Sequence, residues 1–197
     1  DTNADPPQKV RYLTWCMGRV WAAGLDTTKR DELYYSAVTS TFAGVTQGTK
    51  TWDRSRQVLS LSTDSGEAIT GMASFRDRAL FVGMERSCYL VYVGTDISRL
   101  DEDLVTLSRD IGVGSHKTIA NVANDLYFMD QNGQIRRLLG LQESPGVEAL
   151  PVSVQIKDRL DAMDKSSMYL ANAAFHDGFY WLSFPLPSGD WELWSYS

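Results

Sequence analysis

Gly18-Arg19-Val20-Trp21-Ala22-Ala23 has three counterparts further along the chain. They are Asp77-Arg78-Ala79-Leu80-Phe81-Val82, Asn124-Asp125-Leu126-Tyr127-Phe128-Met129 and Asp177-Gly178-Phe179-Tyr180-Trp181-Leu182. Each copy sets two turn-forming residues before four apolar or aromatic ones. The copies begin 59, 47 and 53 residues apart. A loose period of about fifty residues marks one supersecondary unit stacked on its neighbours.

Outward from these stretches the chain resolves into meanders. The first has strands at Tyr12 to Met17, Val20 to Ala23 and Glu32 to Val38. The second has Ile69 to Phe75, Ala79 to Met84 and Ser87 to Val93, and the third Thr118 to Ala123, Leu126 to Met129 and Gln134 to Leu139. The fourth has Tyr169 to Phe175, Phe179 to Phe184 and Trp191 to Tyr196. Gly, Asn or Asp joins the first two strands each time, as tight hairpins require, and Asn132-Gly133 is the strongest hairpin signal. A further strand-like stretch follows three of the units, at Gln57 to Ser62, Asp103 to Ser108 and Val147 to Val152.

The second strands decide between architectures. Ala79 to Val82 and Phe179 to Leu182 do not alternate apolar with polar, so both faces of each are expected to be covered. An inner strand of a two-sheet sandwich keeps one solvated face. Hairpin-linked strands covered on both faces belong to radially packed blades. The expected fold is all-β: a β-propeller or part of one, with about four blades of antiparallel meanders. Residues 1–8 read as a linker or arm, and 9–197 as the propeller portion, with blades at approximately 9–62, 67–108, 115–154 and 168–197. One short inserted helix is expected over approximately 153–163, from Ile156, Leu160 and Met163 at helical spacing, Ser153 as N-cap and a Lys157–Asp161 pair. It packs on a blade edge or touches a neighbouring subunit. The segments Thr39 to Arg56 and Gly94 to Asp101 are expected to be long loops.

Composition narrows the function. The 197 residues carry 19 basic and 25 acidic side chains, a formal charge of -6. An acidic chain does not hold nucleic acid by neutralising phosphates, though it can line a path along which nucleic acid slides. Cys16 and Cys88 lie in apolar runs and read as small buried hydrophobes. No apolar run is long enough for a membrane-spanning segment. The chain begins at Asp1, shows no signal peptide and stops after Ser197, which reads as a fragment or a processed product.

The chemistry-bearing motifs are weak. Ser62 to Ile69 partly matches the Asp-box of sialidase-type propellers, with Ile69 where an aromatic belongs. Asp130 to Gly133 resembles the start of a calcium loop but continues as a strand without the required Glu. His116 and His176 have no second ligand at metal spacing. Gly112-Val113-Gly114-Ser115 lacks the Lys of a phosphate loop and reads as a strain-relieving connection between blades. Asp101 with Asp103 and Asp161 with Asp164 are pairs that any acidic surface offers. No catalytic, cofactor-binding or metal-ligating residue is assigned, and the expectation is of a non-enzyme without a cofactor. Among the tryptophans, Trp21 and Trp181 read as core, Trp191 and Trp194 as facing opposite sides of the last strand, and Trp52 as the one exposed platform.

Taken together, Arg19 to Gly24 with Glu32 to Ser36, Ala68 to Met72 with Leu80 to Tyr89, Arg109 to Ser115 with Asn124 to Gly133, and Tyr180 to Pro185 resemble a known family. It is the β-propeller of short-tailed bacteriophage tail proteins, the nozzle or tail-tubular-B type also described as DNA-stabilisation proteins. The resemblance covers roughly residues 10 to 197. It implies a virion protein of the tail, made in the host cytoplasm, whose copies form a hexameric ring. Its implied partners are copies of itself, the portal and adaptor, and tail-fibre proteins. The genome would pass through the channel without sequence-specific binding, and no catalytic residues carry over. The family's chains are much longer. The alternative is a carbohydrate-binding or carbohydrate-cleaving propeller module. A generic cellular scaffold is disfavoured by the absence of WD and kelch signatures.

Overall fold

A computed structural model describes residues 7, 9–25, 29–36, 40–42, 45–47, 52, 58–61, 66–76, 78–92, 104–139 and 151–197. The strands are β1 (Tyr12–Cys16), β2 (Arg19–Ala23), β3 (Glu32–Tyr35), β4 (Ser40–Phe42), β5 (Val45–Gln47), β6 (Val58–Ser60), β7 (Ile69–Phe75), β8 (Ala79–Met84), β9 (Cys88–Tyr92) and β10 (Leu104–Ser108). They continue with β11 (Ala120–Val122), β12 (Asp125–Met129), β13 (Ile135–Leu138), β14 (Asn172–His176), β15 (Phe179–Pro185) and β16 (Trp191–Tyr196). Among the described residues one α-helix, α1 (Lys157–Asp161), lies between β13 and β14.

The sheet orders are β1-β2-β3-β6, β10-β9-β8-β7, β11-β12-β13 and β14-β15-β16, with β4-β5 as a separate hairpin. Each of the four larger sheets is a meander in chain order. The chain is therefore all-β, a run of antiparallel blades of the kind that make up part of a β-propeller. It divides into two compact units, residues 1–84 with 90–105, and residues 85–89 with 106–197.

In the first unit, β1 and β2 pair from Tyr12 opposite Ala23 to Cys16 opposite Arg19. The turn between them is Met17-Gly18, at φ 51° and 72°. Two successive positive φ values match the right-handed twist of the strands they join. The expected turn, Gly18-Arg19, is thus one residue out of place. Arg19 is instead the first residue of β2 and is buried, its Nη1 donating to the Ser36 carbonyl at 3.2 Å and its guanidinium over the Tyr35 ring. Among the described residues its Nε and Nη2 have no hydrogen-bond partner. Burial pulls its pKa below the usual arginine value. The Trp21 indole donates to the Cys16 carbonyl at 3.1 Å and its ring lies 5.1 Å from that of Tyr35. On the other face Ala22, Tyr34 and Trp52 form a small core. β1 runs beside β7, and the Cys16 thiol donates to the Ala79 carbonyl at 3.3 Å. β8 is buried at every position, as its unbroken apolar sequence requires.

In the second unit, β11 to β13 pack face to face on β14 to β16. Tyr127, Met129 and Ile135 from the first sheet meet Tyr180, Leu182 and Phe184 from the second. β12 is also buried on its opposite face, at Leu126 and Phe128. β15 departs from expectation: its residues alternate, with Phe179 and Trp181 exposed and Tyr180, Leu182 and Phe184 buried. Apolar composition alone did not reveal that, among the described residues, one of its faces has no covering sheet.

The helical insert is shorter than expected. A 3-10 turn over Val154–Ile156 leads into α1, and a second over Lys165–Leu170 follows it. Leu160 and Met163 reach the core beside Met129 and Ile135, so the segment packs on a blade edge. Lys157 and Asp161 form the expected ion pair. Ser153 is not a side-chain N-cap. Its hydroxyl accepts from the Ile135 backbone N–H at 3.0 Å, and the Val152 N–H donates to the Ile135 carbonyl at 3.0 Å. Residues 147–150, expected as strand, lie outside the described residues. The loop expected over Thr39 to Arg56 contains the β4-β5 hairpin, paired from Ser40 opposite Gln47 to Phe42 opposite Val45.

Candidate functional site: the last sheet

β14 and β15 pair from Asn172 opposite Ser183 to His176 opposite Phe179, and β15 and β16 from Tyr180 opposite Tyr196 to Pro185 opposite Trp191. Directly paired residues share a face. This register sends Tyr180, Leu182, Phe184 and Trp194 inward. It collects Phe179, Trp181, Trp191 and Leu193 on the outer face, 39%, 36%, 52% and 65% exposed. The Phe179 and Trp181 rings are 6.1 Å apart, and the Trp181 indole donates to the His176 carbonyl at 3.3 Å. Sequence reasoning had Trp181 in the core. It placed Trp191 and Trp194 on opposite sides, as they are. Trp52, expected as the exposed platform, is buried against Ala22 and Tyr34.

Behind β16 lies an apolar cleft of about 180 Å³. Ile135, Val152, Ile156, Leu182 and Trp194 line it, and the exposed Gln155 joins its rim. Small-molecule pockets usually hold about 300–1,000 Å³. The cleft is therefore sized for a side chain or two rather than for a cofactor.

Several residues that the sequence singles out for chemistry are engaged in local structure. Asp130 is fully buried. One of its carboxylate oxygens accepts from the N–H groups of Asn132 and Gln134 at 2.8 and 2.9 Å, and the other from Arg136 Nε at 2.7 Å. These bonds, with Gly133 N–H donating to the Asp130 carbonyl at 2.9 Å, close the β12-β13 connection. The hairpin there is real, but it is a five-residue loop held by Asp130 rather than a two-residue Asn-Gly turn. Asp161 pairs with Lys157 and accepts from Gln134 Nε2 at 3.3 Å. Asp164 caps the following 3-10 turn, and the Ser167 and Ser166 hydroxyls hold its carboxyl below the usual range. His116 is half-buried, and burial pulls its pKa down. His176 is exposed. Cys16 and Cys88 are buried thiols. Gly114 is needed for close approach: a Cβ there would stand 2.5 Å from the Asp130 carbonyl oxygen. Asp101, Asp103 and residues 62–65 of the Asp-box-like stretch lie outside the described residues. Among the described residues no group of three or more His, Cys, Asp and Glu is placed to hold a metal ion. No described helix is long and apolar enough to cross a membrane.

No protein-family model matches this chain, and no curated protein does. Among solved structures the chain is similar to virginiamycin B lyase from Staphylococcus aureus, at 14% identity over 94% of its own length with a TM-score of 0.48. It spans 55%, about half, of that enzyme's length. It is also similar to the computationally designed Ika4 protein, at 10% identity, 100% coverage of this chain, 98% of that one and a TM-score of 0.45. PorZ, a surface component of the type-IX secretion system of Porphyromonas gingivalis, is similar at 10% identity over 98% of this chain and 27% of its own, with a TM-score of 0.38. The strand order and register carry the fold assignment by themselves.

Proposed function

We propose that this chain is a structural propeller portion of a short-tailed phage tail, of the nozzle type, which assembles with copies of itself around the DNA exit channel. The observation that carries the reading is the outer face of the last sheet. On it Phe179, Trp181, Trp191 and Leu193 are all partly exposed, and the Phe179 and Trp181 rings touch. Large apolar residues gathered on one exposed face mark a surface that another body covers. Its further partners would be the portal, the adaptor and tail-fibre proteins, and its place the virion. The formal charge of -6 suits a conduit that does not grip a phosphate backbone. The protein has no turnover in this reading. Imaging of the native assembly tests it: a sixfold ring coaxial with a portal is the expected result. Isolated monomers that cleave a polysaccharide would overturn it.

A carbohydrate-binding module is the second reading, and the exposed Trp181 and Trp191 are its support. Saturable binding of a polysaccharide that Trp191→Ala abolishes would favour it.

A further inference from the structure

Asn132 stands exposed at the tip of the β12-β13 loop, and Gly133 turns the chain back toward β13. Glycine is required at 133. Its φ is 82°, and a Cβ there would collide with Lys165 Nζ and stand 2.6 Å from the Met163 methyl carbon. The peptide that follows Asn132 therefore has no side chain to shield it. Asparagine before glycine is the pair most prone to lose its side-chain amide, because a bare glycine nitrogen meets the least hindrance on its way to the asparagine side-chain carbonyl. Three hydrogen bonds oppose that reaction. Asn132 N–H donates to an Asp130 carboxylate oxygen at 2.8 Å, Gly133 N–H to the Asp130 carbonyl at 2.9 Å, and Lys165 Nζ to the Asn132 carbonyl at 2.9 Å. The last two grip both ends of the peptide that joins 132 to 133. Ring closure requires that peptide to turn about the Asn132 Cα–C bond and requires the Gly133 nitrogen to give up its proton. Turning it breaks both bonds. Lys165 is held in turn by donating to the Leu160 carbonyl at 2.9 Å.

We propose that Asn132 is a site of spontaneous deamidation which Lys165 and Asp130 keep silent in the folded chain, so that its conversion records opening of this loop. In the open loop the Gly133 nitrogen bonds to the Asn132 side-chain carbonyl carbon. The bond from that carbon to the amide nitrogen breaks, and ammonia leaves with the proton that Gly133 gave up. Water then opens the five-membered imide at either carbonyl, giving aspartate or isoaspartate. Aspartate sets a second carboxylate two residues from Asp130, whose own is buried and bonded to Arg136. Isoaspartate adds a carbon to the main chain of a loop closed by fixed hydrogen bonds. Either product opposes reclosure. Lys165 acts here as a positioning residue, through the peptide it holds. The proposal stands independently of the tail role.

The test ages the protein and its Lys165→Met variant side by side in neutral buffer, folded and in urea, then maps tryptic peptides by mass spectrometry. Fragment 118–136 carries Asn121, Asn124 and Asn132 together, so the first two report the background. In the folded protein Asn132 should convert at least about tenfold more slowly than in urea. Folded Lys165→Met should convert about tenfold faster than the folded native protein, and in urea the two should convert at one rate. Lys165→Arg, which keeps a charged donor, should retain the protection. Equal rates for the native protein folded and in urea would overturn the proposal, and so would equal rates for the native protein and Lys165→Met when both are folded. Should Lys165→Met not fold, the native ratio and Lys165→Arg decide. None of these outcomes bears on whether the protein forms a ring.

Discussion

Tyr180 donates its hydroxyl to the Thr118 carbonyl at 2.8 Å, from the middle strand of the last sheet to the 3-10 turn that opens the sheet before it. Thr118 is itself anchored. Its hydroxyl donates to the Ser115 carbonyl at 2.7 Å and accepts from the Met129 N–H at 3.0 Å. The two sheets are thus joined by a polar chain inside an otherwise apolar core.

Tyr180→Phe leaves the Thr118 carbonyl unpaired in that core, at a cost of about 1–2 kcal/mol, read from the urea midpoint. Burial also pushes the Tyr180 phenol far above its ordinary value of 10.0. The unfolded chain ionises first, so this stabilisation is whole below about pH 10 and is lost as pH rises beyond it. The native protein should therefore lose stability more steeply than Tyr180→Phe in that range. Parallel alkaline curves would show that the phenol is not protected.

Asp130→Ala removes the acceptor for two backbone N–H groups and the partner of Arg136, whose side chain is 12% exposed. Breaking a buried pair from one side costs about 3–5 kcal/mol. Denaturant unfolding monitored by tryptophan fluorescence reads it. A change below about 1 kcal/mol would mean that the loop does not depend on this carboxylate.

Gly114→Ala and Gly178→Ala separate two reasons for glycine. At Gly178, φ is 82° with open space around a new Cβ, so the cost is the left-handed backbone alone, about 1 kcal/mol. At Gly114 the added carbon meets the Asp130 backbone oxygen, which cannot swing aside, and the cost is about 2–3 kcal/mol. Differential scanning calorimetry should show the larger fall in Tm for Gly114→Ala.

Trp181→Ser with Leu193→Ser should shift the protein toward monomer in light scattering, with a stability cost of about 1–2 kcal/mol that falls mainly on Trp181, which is 36% exposed against 65% for Leu193. An unchanged association state would remove the outer face from the assembly.

Cys88 is pushed up to about 12 by burial, so its thiol stays protonated at pH 8. Cys16 is equally buried. Ellman's reagent should titrate neither thiol in the native protein and both after denaturation. Rapid native reaction would indicate local opening of those strands.

The blades were legible where apolar runs end sharply at turn residues. The bounds of β7, β8 and β16 match those read from the sequence: Ile69 to Phe75, Ala79 to Met84 and Trp191 to Tyr196. Turn register was less legible, because the residues at positive φ include Met17, Arg76 and Ala123, which carry no turn signal of their own. Gly18 advertised the turn but occupies its second position. Phe179 and Trp181 look like core because hydrophobicity reports a wish for burial and not the presence of a covering sheet. Trp52 fails the opposite way: its loop context suggests exposure, and contacts with Ala22 and Tyr34 bury it. Ser153 has the composition of a cap, but Ile135 from a distant strand claims its hydroxyl. The candidate site on the last sheet was invisible in sequence, since it depends on which face of the sheet the described residues leave exposed.

The clasp of Val152 and Ser153 on Ile135 has a bearing on misassembly. A strand whose peptide groups are already engaged cannot template the growth of stray chains. Loss of the Ser153 hydroxyl would free the Ile135 N–H and give a crowded, partly folded population a seam along which to fuse, so that this serine guards solubility as much as stability.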